Sequence, residues 1–171
     1  MERISTNYFF MDTQDIKNAA HTFLTEPDRL TAVIGSSASD GNVHVATVYY
    51  FVDDAFNFYF MTAARSEKYN NLCENKNAAL VVGFGPSQTT IQGQGAAQLL
   101  EKGSDEELQA IAHLKARLQK HENETWPIFQ LESFERESIA VFKFVPQKLQ
   151  VLNLENESYF ELTTENMLQI L

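Results

Sequence analysis

The sequence is poor in features that would place the protein outside the cytosol. It has one cysteine, Cys73, so no internal disulfide can form, which fits a reducing compartment. It has no apolar run of about 18 residues and no charged-then-apolar leader. We therefore expect neither a spanning helix nor a secretion signal, and we predict a cytoplasmic protein.

Positive charge is also scarce. The chain has 13 lysines and arginines against 23 aspartates and glutamates, a formal net charge of −10. This balance argues against nucleic acid or an anionic membrane as a partner. Because cations are few, the close spacing of Arg65 and Lys68 in the chain is informative.

The side-chain constellations of nucleophilic, paired-carboxylate and metal-dependent catalysis are absent from the sequence pattern. His113 and His121 are eight positions apart on one predicted helix, whereas a metal-binding pair prefers three or four, so we interpret both as solvated. We interpret Cys73 as a packed, inert thiol.

The length of 171 residues suits one domain, which we take as 1–171. Apolar residues at helical spacing predict a covering helix within 1–27, ended by Pro27. A capping box predicts a second helix over 104–122. The tail, 155–171, has room for one more helix. An aromatic connector begins at Trp126, and we interpret its side chains as core or as cover for a ligand cavity.

Period-two patterns predict six or seven mostly antiparallel strands. They cover 30–35, 43–52, the segment from Phe56 to Thr62, 78–84, 89–100, 138–145 and 148–154, with Pro146 breaking the last two apart. Short turns between the first strands leave no room for crossover helices. The predicted fold is mainly β (α+β), a six-stranded antiparallel barrel with flanking helices.

The turn after the third strand has the residue types of a phosphate site. The strand ends at Thr62, two cations follow at Arg65 and Lys68, and Ser66 is placed to cap a helix. Free backbone amides and the helix dipole favour an anion at such a helix start. The same residues also fit an ordinary N-capped surface helix.

The fifth strand carries glycine at two alternate positions, Gly93 and Gly95. Such a strip lets a ligand approach the backbone closely, or lets the sheet bend to close a barrel. The pattern alone leaves both interpretations open.

The ordered combination of these motifs resembles the pyridoxamine 5'-phosphate oxidase-like flavoproteins, the FMN-binding split-barrel family. The resemblance covers Leu30 to Asn153. It is carried by Thr62-x-x-x-Ser66-x-Lys68, Asn71-Leu72, Thr90-Ile91-Gln92-Gly93-x-Gly95 and Val141-Phe142-Lys143-Phe144-Val145-Pro146.

The resemblance implies a split barrel that dimerises and binds FMN at the interface. In matching positions, Thr62, Ser66 and Lys68 would hold the FMN phosphate. Residues 47–49 (Thr47, Val48 and Tyr49) would lie along the isoalloxazine edge, and Gln92 would reach the ring or the ribityl chain, from the same or the partner subunit.

Two departures from the family pattern limit the function. Many members carry a second cation immediately before the lysine, where this chain has Glu67, and Arg65 is a candidate to replace that charge. The Arg-x-His pair that holds the substrate phosphate in the oxidase proper has no counterpart after Val151, which argues against vitamin B6 oxidase activity.

The resemblance therefore predicts an FMN-dependent oxidoreductase of unknown small-molecule substrate. Two alternatives stay open. One is a non-catalytic flavin- or small-ligand-binding protein, such as a sensor or stress-linked protein. The other is a reductase that uses the deazaflavin F420.

Overall fold

The computed structural model describes residues 12–84, 89–119, 139–153 and 158–167. The seven strands are β1 Thr31–Ser37, β2 Val43–Val52, β3 Phe58–Ala63, β4 Asn77–Val82, β5 Thr89–Leu99, β6 Ile139–Asn153 and β7 Ser158–Thr163. The helices are α1 Thr13–Thr25, α2 Glu67–Glu74, α3 Asp105–Gln119 and the single-turn α4 Thr164–Met167.

The strands form one antiparallel sheet that closes on itself. The order is β3-β2-β1-β4-β5-β6-β7, and a further pairing of β3 with β6 closes the first six strands into a barrel. β7 adds to the free side of β6. The predicted mainly β, six-stranded antiparallel barrel is confirmed.

Aromatic side chains fill the barrel interior. Phe58, Phe60, Phe142 and Phe144 are each at most 2% exposed and belong to the main core cluster. The alternate residues of β3 face outward but are buried too, because α3 covers them in a second cluster that includes Tyr59. Both faces of β3 are therefore buried.

Two helices contact opposite ends of β2. At its C-terminal end, Tyr50 donates a hydrogen bond to the Leu24 carbonyl of α1 over 2.8 Å. At its N-terminal end, His44 lies 3.2 Å from Glu67 of α2. The end of the barrel next to α2 is where the predicted phosphate turn lies.

The prediction that Pro146 separates two strands is wrong. β6 runs without interruption from Ile139 to Asn153, and its register with β5 shifts between Gln94 and Gly95, where Gly95 pairs with Pro146. A proline has no N–H to donate, and it is tolerated where a ladder is already irregular.

The glycines of β5 lie against other strands. A Cβ on Gly95 would collide with the Val145 carbonyl oxygen and lie 2.8 Å from the Pro146 Cα. A Cβ on Gly93 would lie 3.0–3.3 Å from side chains of Leu149, Leu80 and Phe144. The glycines are therefore explained by the close approach of the bent β6 strand and of the core. This supports the interpretation that the sheet bends here, rather than the approach of a ligand.

Other differences concern element ends. The segment from Ser158, expected to be tail or helix, is a strand that pairs with β6, and Leu162 is buried. β3 starts at Phe58, because Phe56 adopts a φ of +61° in the preceding turn. The Asp53 carboxylate holds that turn by accepting hydrogen bonds from the amides of Ala55 and Asn57.

Three expectations fall wholly or partly outside the described residues. They are the aromatic connector from Trp126, the solvated state of His121 and the end of the 104–122 helix beyond 119. Within the described ranges, no helix has both the length and the apolarity needed to cross a membrane.

Candidate functional site

Three predicted phosphate-site residues converge at the start of α2. Ser66 caps the helix, its hydroxyl accepting a hydrogen bond from the Tyr69 amide. The Thr62 and Ser66 hydroxyl oxygens are 3.0 Å apart, and the Lys68 ammonium donates to Thr62 Oγ1 over 3.1 Å. We call Thr62, Ser66 and Lys68 the hydroxyl–lysine cluster.

The cluster holds a partly desolvated cation. Burial lowers the pKa of Lys68, and Thr62 is only 4% exposed. Among the described residues, no carboxylate forms an ion pair with Lys68. An anion beside the ammonium would offset this desolvation, and a helix start with two hydroxyls supplies the donors that a phosphate needs.

Arg65 and Glu67, the other charged residues of the turn, have different surroundings from Lys68. Arg65 is exposed and adopts a φ of +77°, a conformation that is uncommon for a residue with a Cβ. Glu67 occupies the position of the second family cation and lies 3.2 Å from His44 Nδ1. The turn therefore carries a carboxylate next to Lys68, with an imidazole beside that carboxylate.

The barrel is split beside the cluster. The ladder between β2 and β3 contains the pairs Val52↔Phe58, Phe51↔Tyr59 and Tyr50↔Phe60 and stops there. Its register, if continued, would place Val48 opposite Thr62. The predicted ring-edge residues 47–49 thus lie on β2 directly beyond the end of this ladder, across the split from the cluster.

Gln92 lies elsewhere on the molecule. Thr62 pairs with Ala140 of β6, whereas Gln92 pairs with Gln150, ten residues further along that strand and roughly 30 Å away along it. Gln92 is therefore not adjacent to the cluster along the pairing of β6.

Gln92 and Thr47 do share a surface. The registers place two rows of residues across β2, β1, β4 and β5: Thr47, Val33, Val81 and Gln92 in one row, and Val45, Gly35, Ala79 and Gln94 in the next. We call these eight residues the outer face. None of them is charged, and Val45 is 61% exposed.

Polar contacts that the sequence reasoning missed join α2 to the β1–β2 hairpin. Asn71 donates to Ser36 Oγ over 3.4 Å, Asn75 donates to Ser37 Oγ over 2.9 Å, and Ser39 donates to Glu74 over 2.8 Å. These contacts hold the helix that carries Ser66 and Lys68. The serine-rich hairpin and the asparagines of α2 are visible in the sequence, but their pairing requires the fold.

Cys73 and His113, which the sequence analysis also considers, are both exposed. Cys73 is exposed, so its interpretation as a packed thiol is wrong. His113, also exposed, stacks on Phe51 with ring centroids 5.2 Å apart. In the part of the chain that the structure describes, no group of three His, Cys, Asp or Glu side chains is arranged to hold a metal.

Comparison with known families gives one match. Residues 16–153 match the sequence model of the family described as pyridoxamine 5'-phosphate oxidase. None of the curated proteins is similar enough in sequence to match the chain.

Solved structures share the fold at low identity. A putative pyridoxamine 5'-phosphate oxidase from Listeria innocua is 20% identical with a TM-score of 0.57, covering 81% of this chain and 98% of that one. General Stress Protein 26 from Bacillus anthracis str. Sterne is 18% identical with a TM-score of 0.58, covering 86% and 98%. HutZ, the heme storage protein from Vibrio cholerae, is 16% identical with a TM-score of 0.62, covering 77% and 91%.

Proposed function

Because the chain belongs to the pyridoxamine 5'-phosphate oxidase family, we propose that it is an FMN-binding flavoprotein that acts as an oxidoreductase on a small molecule. The observation that carries the proposal is the hydroxyl–lysine cluster, in which Thr62 Oγ1 lies 3.0 Å from Ser66 Oγ and 3.1 Å from Lys68 Nζ at a helix start. This arrangement suits the phosphate of a flavin mononucleotide.

The cluster and the split would divide the binding of FMN between them. Lys68 and the two hydroxyls bind the phosphate, while the β2 backbone at residues 47–49 lies along the ring edge. The flavin, when bound, supplies hydride or electron transfer, and the protein positions it and excludes water. No nucleophilic side chain is required, which agrees with the lack of such a constellation in the sequence.

The outer face supports a homodimer. Its residues are uncharged in a chain of net charge −10. Val45 within it is 61% exposed, and Val43, two residues before Val45 on β2, is 74% exposed. Exposed apolar residues grouped in this way are typical of a protein interface. Packing of two such faces would bring Gln92 of the partner subunit toward Thr47, at the ring end of the site.

Vitamin B6 oxidase activity is not part of the proposal. The strand after Val151 presents Tyr159 and Glu161 rather than an arginine and a histidine. The nearby Lys148 lies 2.7 Å from Glu161, so its charge is already paired. Among the described residues of β6 and β7, this lysine therefore offers no unpaired cation for a substrate phosphate.

A second candidate function is ligand binding without turnover, as a sensor, store or stress-linked protein. It is favoured by the absence of arginine and histidine from the sequence after Val151 and by the similar folds of HutZ and General Stress Protein 26. Heme and the deazaflavin F420 are the alternative ligands in this case.

Both candidates are tested by an absorption spectrum of the purified protein. Any ligand that heating releases is then identified by mass spectrometry. The proposal expects a flavin spectrum that is bleached by NADH or NADPH and restored by an electron acceptor. A bound flavin that no pyridine nucleotide reduces would favour the non-catalytic protein. The protein should also be titrated with hemin, F420 and FMN. Failure of FMN to bind would refute flavin mononucleotide as the ligand.

A further inference from the structure

An ion pair bridges the split in the barrel next to the hydroxyl–lysine cluster. His44 Nδ1, on β2, lies 3.2 Å from the carboxylate of Glu67, the first residue of α2. The register of β2 with β3, if continued past its last pair, would place His44 opposite Ser66. The pair therefore connects the β2 side of the split to the residue that stands between Ser66 and Lys68 in the chain.

The backbone of Glu67 belongs to the anion-binding end of α2. The first amides of a helix have no acceptor within the helix. Here the Tyr69 and Asn70 amides both donate to Ser66, one to its Oγ and the other to its carbonyl oxygen. The amides of Glu67 and Lys68 are thus the ones left for an anion. A phosphate bound at this helix start therefore lies close to the residue that carries the Glu67 carboxylate.

The charge of the pair depends on the protonation of His44. A carboxylate oxygen can only accept, so Nδ1 donates to Glu67, and a second proton would attach to Nε2. With the imidazole neutral, the pair carries one negative charge beside a phosphate of about −1.5 to −2, which the cluster opposes with the Lys68 ammonium. With the imidazole protonated, the pair is neutral. Repulsion of a bound phosphate is therefore smaller in the protonated state.

Histidine is the side-chain type whose charge ordinarily changes between about pH 5 and 8. β1 places the uncharged Ser36 opposite His44, and among the described residues Glu67 is the ion-pair partner of this imidazole. The other charged or titratable side chains of α2, of the turn before it and of the turn between β1 and β2 are Arg65, Lys68, Tyr69, Cys73, Glu74 and Asp40. No second histidine is among them, so a charge change near neutral pH at this end of the barrel points to His44.

We propose that His44 is a further residue of the flavin phosphate site, whose imidazolium neutralises Glu67, so that binding of the FMN phosphate is coupled to uptake of a proton from solvent at Nε2. The inference rests on the proposed function, because the cluster must first bind a flavin phosphate. The bound phosphate favours the protonated imidazole. His44 therefore strengthens binding at low pH, and this effect is lost as the pH rises and the imidazole loses its proton.

Calorimetric titration of the full chain and of its His44→Gln variant with FMN, at about pH 5.5 and about pH 8, tests the inference. We expect the ratio of the native affinity to the variant affinity to be about threefold larger at the lower pH. This size is typical of charges that water screens, since His44 and Glu67 are 29% and 66% exposed. The phosphate of FMN itself changes charge near pH 6, and taking the ratio cancels that contribution.

Riboflavin and the Glu67→Gln variant provide the controls. Riboflavin has no phosphate, so His44→Gln should leave its affinity within about twofold at both pH values. Glu67→Gln should tighten FMN binding about threefold at pH 8, because the carboxylate that repels the phosphate is gone. Glu67 is exposed, so this variant tests the pair even if His44→Gln fails to fold.

The outcomes separate this inference from the proposed function. The same affinity ratio at both pH values, or an equal loss of FMN and riboflavin in the His44→Gln variant, would overturn the role of His44 and leave the flavin proposal intact. FMN binding at pH 8 that is unchanged or weaker in the Glu67→Gln variant would overturn it as well. If FMN binds the native protein at neither pH, the proposed function fails and this inference fails with it.

Discussion

Lys68 is the residue on which the proposed flavin binding depends most directly. Its ammonium donates to Thr62 and has no carboxylate partner among the described residues. A hydrogen bond from a charged donor is worth roughly 1.5–3 kcal/mol, and each 1.4 kcal/mol corresponds to about tenfold in affinity. Lys68→Ala should therefore weaken FMN binding by about tenfold or more in a fluorescence titration.

Lys115→Ala is the matched control for that substitution. Lys115 is exposed on α3, and its loss changes the net charge by the same amount. It should leave the affinity unchanged, so equal losses in both variants would assign the effect to the overall charge and remove Lys68 from the site.

The lowered pKa of Lys68 predicts a pH dependence of binding. Burial lowers this pKa in the free protein from its ordinary value of 10.5, and a bound phosphate raises it again. The bound state then holds the proton more tightly, so affinity is full below the free-protein pKa and is lost as the pH rises through it. FMN affinity should thus begin to fall below pH 10.5.

The Lys68→Ala variant isolates this titration. FMN titrations at pH 7 and at higher pH should show a fall in FMN affinity that is larger for the native protein than for the variant. Circular dichroism should confirm that both proteins stay folded. Parallel curves for the two proteins would show that another group titrates.

At the scale of elements, α2 depends on its contacts with the β1–β2 hairpin. Asn71 and Ser36 are 6% and 3% exposed, and each is the other's hydrogen-bond partner over 3.4 Å. Asn71→Ala would leave the Ser36 hydroxyl buried without that donor, at a cost of about 1–3 kcal/mol. Urea unfolding should show this loss, while the neighbouring exposed Asn70→Ala should stay within about 0.5 kcal/mol of the native protein.

The bend of β6 gives a second prediction at this scale. A Cβ at Gly95 would meet the backbone of Val145 and Pro146, which cannot rotate away, so Gly95→Ala should destabilise the barrel by about 1–3 kcal/mol or more. At Gly35 the nearest atom to a new Cβ is the Ala79 carbonyl oxygen at 3.8 Å, an ordinary contact. Thermal unfolding should therefore separate the two variants, and a Gly95→Ala protein as stable as Gly35→Ala would contradict the close packing of β5 on β6.

At the scale of the whole molecule, the outer face predicts a dimer of 19.4 kDa chains. Val45 is 61% exposed in the single chain, so Val45→Lys should leave the protomer folded but place a charge in the proposed interface. We expect light scattering to show the mass falling from two chains toward one, with a loss of flavin because Gln92 of the partner subunit leaves the site.

Leu108→Lys is the control for the dimer. Leu108 is 40% exposed on α3, away from the outer face, so its substitution should not change the mass. A native protein that is monomeric and still retains flavin would contradict a site shared between two subunits.

Much of the fold follows from local patterns in the sequence. The period-two segments predict the strands of the barrel, with β2 placed at Val43–Val52 as observed. The start of α2 at Ser66 follows from its capping chemistry. These features depend on residues close in the chain, for which pattern and propensity are direct guides.

The sequence by itself determined the chemistry of the candidate site: two hydroxyls and an ammonium at a helix start, in an acidic chain with few cations. Only the tertiary structure decided which groups meet. The unbroken path of β6 through Pro146, the pairing of Asn71 with Ser36 and the common row of Thr47 and Gln92 all join residues distant in the chain. Such contacts arise from strand register and barrel closure, which the local pattern of any one segment does not specify.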